Sequence, residues 1–204
     1  MDKTCREFFE KWLPFIARKK RFSPNTYDSY RCNLDNHILP YFGDQIMSAI
    51  TAENIDQFLD HLSQKPCKGP KSFSREPSEV PKLASSTIKK CYMILMSGYT
   101  TAKKWRYVKE IPETIAPAER NKRRKAWASD QVYSVMQTID NKVLHLAVHL
   151  AFVCSLRAGE TAGIDIGSID FLDKSFWIKR QIQRVSDEAL EQIAKDEIIY
   201  YVFP

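Results

Sequence analysis

The sequence predicts a mainly α-helical protein with a small β part near its C-terminal end. Apolar residues recur at helical spacing through the first half, and residues 143–154 are apolar almost all round. After Gly163 the pattern changes to short runs rich in β-branched and aromatic residues, at 176–178 and 198–203. Buried helices followed by short strands are typical of an α+β arrangement in the second half.

The first two of four predicted helices differ in where their proline lies. Pro14 is expected to bend or break the first helix. Ser23 and Pro24 together form a capping start for the second helix, which ends at Gly43. The apolar stripes of these helices are Phe8, Trp12, Phe15 and Ile16, and then Tyr27, Tyr30, Leu34, Ile38 and Tyr41.

A long proline-rich loop, at 65–84, separates the other two helices of the first half. Thr51 opens the helix before this loop, and the helix after it begins near Ser86. Four helices of this kind can close a small bundle. Their apolar stripes are Ile55, Phe58, Leu59 and Leu62, and then Ile88, Tyr92, Leu95, Tyr99 and Ala102.

The second half starts with a linker and two helices. Pro112 and Pro117 interrupt helix formation between 106 and 126. Ser129 is expected to cap a short amphipathic helix. The helix at 143–154 is expected to be buried on several sides because it is apolar almost all round.

The composition excludes several classes of protein. The chain has 204 residues, 44% hydrophobic and 12% aromatic, which is long and apolar enough for a core and unlike a disordered chain. No apolar run reaches about 18 residues, so no membrane-spanning helix is predicted and no membrane partner is expected. The five cysteines are scattered and form no C-x-x-C pair, which indicates reduced thiols and a cytoplasmic location.

The net charge of +6 is unevenly distributed. Residues 103–125 hold nine Lys and Arg against three Asp and Glu, whereas residues 126–204 hold seven against eleven. This asymmetry indicates a polyanion partner such as a nucleic acid. The alternative is a charged linker on an ordinary solvated surface.

Arg157, directly after the apolar helix, is the most informative residue of the second half. A cation in this place needs a partner or water, because an unpaired buried charge is costly. Glu160 follows three residues later and can orient it on one helical turn, while Gly159 permits close approach of a backbone or a ligand. From spacing alone, a structural Arg–Glu pair that closes a helix junction remains the alternative.

No metal or cofactor site is predicted. His145 and His149 have the spacing of a zinc-binding helix, but Leu146 stands where such helices have a glutamate, and no third ligand is evident.

The segment around Arg157 reads Ser155-Leu156-Arg157-Ala158-Gly159-Glu160. It resembles the first catalytic box of the tyrosine recombinases, the phage integrase family, in which Thr-Gly-Leu-Arg-x-Gly-Glu is usual and Cys154-Ser155 here replaces Thr-Gly. The segments 23–27, 37–43 and 86–89 are similar to the core-binding domain of the same family. Together the similar segments span almost the whole chain in the family's order.

The resemblance implies a four-helix, SAM-like core-binding domain at 1–115, a basic linker at 116–126 and an incomplete α+β catalytic domain at 127–204. In this family a tyrosine hydroxyl attacks a DNA phosphate to form a 3′-phosphotyrosine link, without metal or cofactor. Arg157 would stabilise the transition state and Glu160 would orient the site. The implied process is site-specific recombination, as in integration or excision of a mobile element.

The partner implied by the resemblance is double-stranded DNA, gripped by two domains with the linker close to the duplex. The linker would contact phosphates, and the polar sides of the second and fourth helices would approach a groove or the backbone. The candidate contact residues are Arg31, Lys89, Lys90, Lys103, Lys104, Arg120, Lys122, Arg123, Arg124 and Lys125.

The later active-site elements of the family are not found in the sequence. None of the four histidines opens a His-x-x-Arg box, and Tyr200 and Tyr201 follow Arg157 too closely to be the nucleophile. The chain is therefore expected to be truncated, monomeric and unable to cleave DNA alone, whereas full recombinases act as tetramers. The alternatives are a non-catalytic DNA-binding module that occupies recombination sites, and a helical interaction scaffold without DNA binding.

Overall fold

The computed structural model describes residues 3–67, 80–118, 126–193 and 200–202, and it confirms the mainly helical class with a small β part. The chain divides into two compact units, Met1–Asn121 and Lys122–Pro204. Among the described helices, none has the length and apolar content needed to cross a membrane. The narrower domain limits and the linker given above stay predictions.

Helices packed around aromatic side chains form the first unit. Ser23 and Thr51 accept backbone hydrogen bonds at the starts of two of these helices, which confirms both predicted caps. A π-helical turn and a 3₁₀ turn complete the described elements of the unit. In chain order they are α1 (Cys5–Lys19), α2 (Pro24–Asn33), the π turn (Leu34–Ile38), α3 (Leu39–Phe42), the 3₁₀ turn (Met47–Ala49), α4 (Ala52–Gln64) and α5 (Ser85–Lys104).

Pro14 does not break α1, so that part of the expectation is wrong. The helix runs without interruption through the proline. Trp12, Leu13, Ile16 and Ala17 are buried on either side of it. Their burial stabilises the helical path more than the missing proline N–H destabilises it.

Helices α1 and α5 pack against each other in the core. The Trp105 ring at the end of α5 contacts the rings of both Phe8 and Phe15, so this end lies over the middle of α1. The contacting pairs are Phe9 with Gly98, Trp12 with Thr101 and Phe15 with Trp105.

A lysine closes the π-helical turn between α2 and α3. Pro40 has no N–H, so the carbonyl of Asn36 has no α-helical donor four residues ahead. Lys65 Nζ donates to that carbonyl at 2.6 Å and lies 3.2 Å from Nδ1 of His37. Burial, and then the charge of Lys65, lower the pKa of His37. The contact ties the turn to the end of α4.

In the second unit, short helices and two small pairs of strands are described. Strands β1 and β2 pair antiparallel, whereas β3 and β4 pair parallel. The elements are α6 (Ser129–Gln137), α7 (Lys142–Val153), α8 (Ala158–Ala162), β1 (Ile169–Asp170), β2 (Ser175–Phe176), β3 (Gln183–Val185), α9 (Asp187–Ile193) and β4 (Tyr200–Val202).

Ser129 is the first residue of α6 and not its cap, which corrects the predicted start. Ala128 precedes the helix in an extended conformation, and its N–H donates to Oε1 of Gln131 at 3.0 Å. The glutamine side chain therefore satisfies a backbone group at the end where a serine hydroxyl was expected.

The expected burial of α7 is also wrong within the described residues. No residue of the helix is buried, and Val143 and Val153 are 78% and 61% exposed. The described part of the second unit buries few large side chains, Met136 and Leu156 among them. The apolar surface of α7 consequently faces solvent there.

Candidate functional site

Arg157 and Glu160 form the pair that their spacing predicts. Glu160 lies in the first turn of α8 and accepts two hydrogen bonds at 2.9 Å, one from the backbone N–H of Arg157 and one from its guanidinium. These bonds, the backbone one foremost, lower the pKa of Glu160, so the carboxylate stays ionised. The Glu160 side chain is 18% exposed and the Arg157 side chain 86%. The carboxylate thus orients an arginine that projects into solvent.

Gly159 and Gly163 leave room for the backbone at 180–182 rather than for a ligand. A Cβ at Gly159 would lie 2.7 Å from the carbonyl oxygen of Ile182, and one at Gly163 would lie 2.6 Å from that of Arg180. The N–H of Ile182 also donates to the carbonyl of Gly159 at 2.9 Å. Helix α8 is therefore fixed, backbone to backbone, against the segment that leads into β3.

An acidic side chain strengthens the same junction. Asp165 Oδ2 lies 3.0 Å from the guanidinium of Arg180, and its Oδ1 accepts a hydrogen bond from Ser168 at 2.7 Å. The Ser168 bond first, and then the charge of Arg180, lower the pKa of Asp165. The junction holds the base of the helix on which Arg157 and Glu160 sit.

Ser155 adopts a left-handed backbone conformation, with φ 55°. It occupies the position at which the resembled catalytic box has glycine. A serine pays a steric cost in this region that glycine does not. Ser155, in place of the usual glycine, therefore holds the left-handed turn at the cost of backbone strain.

We expect Ser155→Gly to stabilise the second unit by about 1 kcal/mol, because it removes the left-handed strain. Ser155→Ala is the matched control: it removes the hydroxyl but keeps the strain, so stability should not change. Hydrogen exchange of the α8 amides measures both variants. Equal gains from glycine and alanine would contradict the strain explanation.

The chemistry open to Arg157 is recognition of an oxyanion. A guanidinium has five N–H donors in a planar fork, and the described contacts use one of them, for Glu160. Two of the others can bind two oxygens of one phosphate. Among the described residues no cluster of side chains with metal-binding character is present, and His145 and His149 gain no third partner.

A second group of candidate residues lies along one face of α5. Lys90 and Lys104 are fourteen residues apart, which places them on the same face of α5, about 21 Å from each other along the helix axis. Between them the face carries Met93, Ser97 and Thr100, and Met93 is 59% exposed. We call these five residues the α5 stripe. Its ends are cationic and its middle is small or uncharged.

Three of the candidate cations on α2 and α5 are partly engaged or covered within the first unit. Lys90 Nζ donates to the hydroxyl of Ser29 on α2 at 2.7 Å, which steers this lysine toward α2. Arg31 Nε lies 3.2 Å from Asp35, so its charge is partly offset. Lys89 is half-buried. Lys90 thus forms one end of the α5 stripe and also contacts α2, whereas Lys104 at the other end is exposed.

The linker candidates Arg120 and Lys122–Lys125 lie outside the described residues. The chain leading to them is held against α5, where the Tyr92 hydroxyl donates to the carbonyl of Thr114 at 3.0 Å. The segment before Thr114 also forms one wall of a groove of about 1440 Å³, which Lys103 lines.

Several cations near these sites were missed by sequence reasoning. The signal was available: residues 11–27 and 80–109 hold five and seven Lys and Arg, with no Asp or Glu at all. Arg21 and Arg106 are the exposed members that the structure singles out by their backbone conformation. When the net charge is counted over longer stretches, these acid-free segments are combined with neighbouring acidic residues and their excess of cations is hidden.

Comparison with known proteins gives two matches. Residues 4–63 match a family described as "Phage integrase, N-terminal SAM-like domain". A solved structure described as "Crystal structure of a lambda integrase dimer bound to a COC' core site" is similar with a TM-score of 0.66 and 16% identity. The similarity covers 83% of this chain and 44% of that one, so this chain spans less than half of the integrase. A search of curated proteins by sequence finds no match.

Proposed function

Starting from a chain that has the fold of the tyrosine recombinases and a phage integrase SAM-like domain at residues 4–63, we propose that the protein binds duplex DNA in site-specific recombination. The observation that carries the proposal is the α5 stripe, a cationic face on the first unit without a single carboxylate. Recombination of a mobile element, in which DNA is integrated or excised, is the process that this partner and fold favour.

The dimensions of the α5 stripe suit a duplex. Two lysines about 21 Å apart exceed the roughly 12 Å width of the major groove, so each can contact a phosphate on one side of it. The small side chains of Ser97 and Thr100 between them let the helix come close to the bases. Phosphate contacts of this kind supply affinity and position the protein without reading sequence.

Arg157 serves, in this proposal, as the phosphate ligand of the catalytic unit. Its exposed guanidinium binds the non-bridging oxygens of a DNA phosphate and stabilises the charge that develops there during strand exchange. Glu160 holds the guanidinium through the two hydrogen bonds described above and keeps it oriented while no DNA is bound. Glu160 is thus a positioning residue for Arg157.

Salt-dependent binding to duplex DNA tests the proposal. The logarithm of the binding constant should fall linearly with the logarithm of salt concentration, and the K90Q/K104Q variant should lower that slope by about 1.8. The K142Q/K174Q variant removes two charges from the second unit, outside the α5 stripe, and should keep the slope. Binding that is absent, or insensitive to salt, would refute the assignment to DNA.

A further inference from the structure

An open groove of about 1440 Å³ lies in the first unit, between the start of α4 and the end of α5, and the chain at 106–114 forms one of its walls. Met47, Ile50, Tyr99 and Val108 line it with buried side chains. The Tyr99 hydroxyl donates to the carbonyl of Met47 at 3.2 Å, which ties α5 to the turn before α4. We call this site the α4–α5 groove. Its base is apolar and is already formed in the free chain.

Three cations without an internal partner line the α4–α5 groove. They are Lys103, Arg106 and Lys109, and all three are exposed. Within the part of the chain that the structure describes, none of their side chains has an ion pair or a hydrogen bond. An anionic partner can therefore bind them without displacing an existing contact. Lys104, at one end of the α5 stripe, does not line the groove.

The backbone of Arg106 is strained at this place. The N–H of Tyr107 donates to the carbonyl of Ala102 at 2.9 Å, and the N–H of Arg106 to that of Lys103 at 3.1 Å. These bonds make a Schellman motif, in which the left-handed position is usually glycine, yet Arg106 occupies it with φ 62°. Lys103 and Lys104 already supply the cations that favour a helix C-terminus. A strained arginine kept where glycine fits points to a role outside the fold.

The wall at 109–113 has unused backbone donors. Lys109, Glu110, Ile111 and Glu113 line the groove, and among the described residues none of their N–H groups donates a hydrogen bond. Free main-chain groups beside a groove can pair with the main chain of a bound peptide. The α4–α5 groove therefore offers cations to acidic side chains and N–H groups to peptide carbonyls.

The size and charge of the groove favour a peptide over a small molecule or a duplex. Small-molecule sites usually have about 300–1,000 Å³, which is less than this groove provides. Duplex DNA has a negative charge about every 1.7 Å along its axis, and the carboxylates of Glu110 and Glu113 on the same wall repel it. A peptide can place its carboxylates at the cations and uncharged residues beside the two glutamates.

We propose that the α4–α5 groove binds an extended, acidic segment of a partner protein, with Arg106 and Lys109 as ligands of its carboxylates. The planar guanidinium of Arg106 binds one carboxylate through two hydrogen bonds. Peptide carbonyls accept from the N–H groups at 109–113, and apolar peptide side chains pack on the base of the groove. This site gives the first unit a protein partner, and it does not depend on the proposed function.

Titration of the full chain with three blocked octapeptides tests the proposal. Each peptide alternates Ser and Val, and its last two Ser are replaced by Glu, by Gln or by Lys. Amide NMR shifts measure the affinity and locate the site. The glutamate peptide should bind about tenfold more tightly than the glutamine peptide, as two exposed ion pairs allow, and the lysine peptide should bind most weakly. The amides at 109–113 should shift and exchange more slowly with solvent.

Two variants with matched loss of charge separate the groove from the α5 stripe. R106Q/K109Q should lose the tenfold preference for the glutamate peptide but keep the salt slope of duplex DNA binding. K90Q/K104Q should keep that preference and lower the slope. All four side chains are exposed, so neither variant should change the melting temperature of the first unit.

The possible failures are distinguishable. Equal affinity for the glutamate and glutamine peptides, or shifts that lie outside the groove, would refute the inference. A lower salt slope in R106Q/K109Q would identify the groove cations as DNA contacts and would also overturn it. If the wild-type protein selects the glutamate peptide but shows no salt-dependent duplex binding, the proposed function fails and this inference stands.

Discussion

Replacing Lys122, Arg123, Arg124 and Lys125 by glutamine is expected to weaken duplex DNA binding by roughly 100- to 1,000-fold near physiological salt. Each phosphate contact releases counterions and contributes about 0.9 to the salt slope, so four lost contacts lower it by about 3.6. The four cations follow one another at the start of the second unit. Only one other stretch of the sequence, residues 18–21, also has four consecutive cations.

The same segment offers a control that preserves charge. Exchanging each lysine for arginine and each arginine for lysine, from 122 to 125, keeps four cations and should keep the slope. Fluorescence anisotropy titrations of one labelled duplex at several salt concentrations measure both variants. A glutamine variant with the wild-type slope would show that the linker does not contact phosphates.

Trp12→Ala is expected to destabilise the first unit by about 3–5 kcal/mol, the largest effect of a single substitution that we predict. The Trp12 side chain is fully buried, 5.4 Å from the ring of Phe9 and 6.3 Å from that of Tyr30. Its Nε1 donates to the hydroxyl of Thr101 on α5 at 3.0 Å. Alanine would leave a cavity at the contact of α1 with α5 and remove that bond.

Thr101→Val is the matched variant, because it keeps the volume and removes the hydroxyl that accepts from the indole N–H and donates to the carbonyl of Ser97 at 3.1 Å. It should cost about 1–3 kcal/mol, the penalty of an unsatisfied buried donor. Hydrogen exchange of α5 amides reports the stability of the first unit for both variants. If Thr101→Val cost as much as Trp12→Ala, the hydrogen bond rather than packing would dominate this contact.

Features set by neighbouring residues were predictable. The caps at Ser23 and Thr51 need only a hydroxyl before a helical pattern, and the Arg157–Glu160 pair needs only three residues of spacing. The helices of the first unit followed from their apolar stripes in the same way. The roles of the candidate site residues stay predictions.

Features that depend on distant contacts were not predictable from pattern. Whether α7 is covered depends on how much other chain packs on it, and Pro14 stays helical because core residues on both sides of it are buried. The polar stretch that contains β3 and α9 has too weak a periodicity to be assigned. Tertiary packing overrides propensity in each of these cases.

By itself the sequence determined the helical first unit, the change to short strands after Gly163, the cationic stretch at 103–125 and the arginine box, because each is a local or periodic pattern. Only the tertiary structure decided which distant residues contact each other. The packing of α1 against α5 brings the rings of Phe15 and Trp105, ninety positions apart, to 4.8 Å. The physical reason is that a side chain's neighbours are set by how helices pack, and the spacing along one helix does not contain that information.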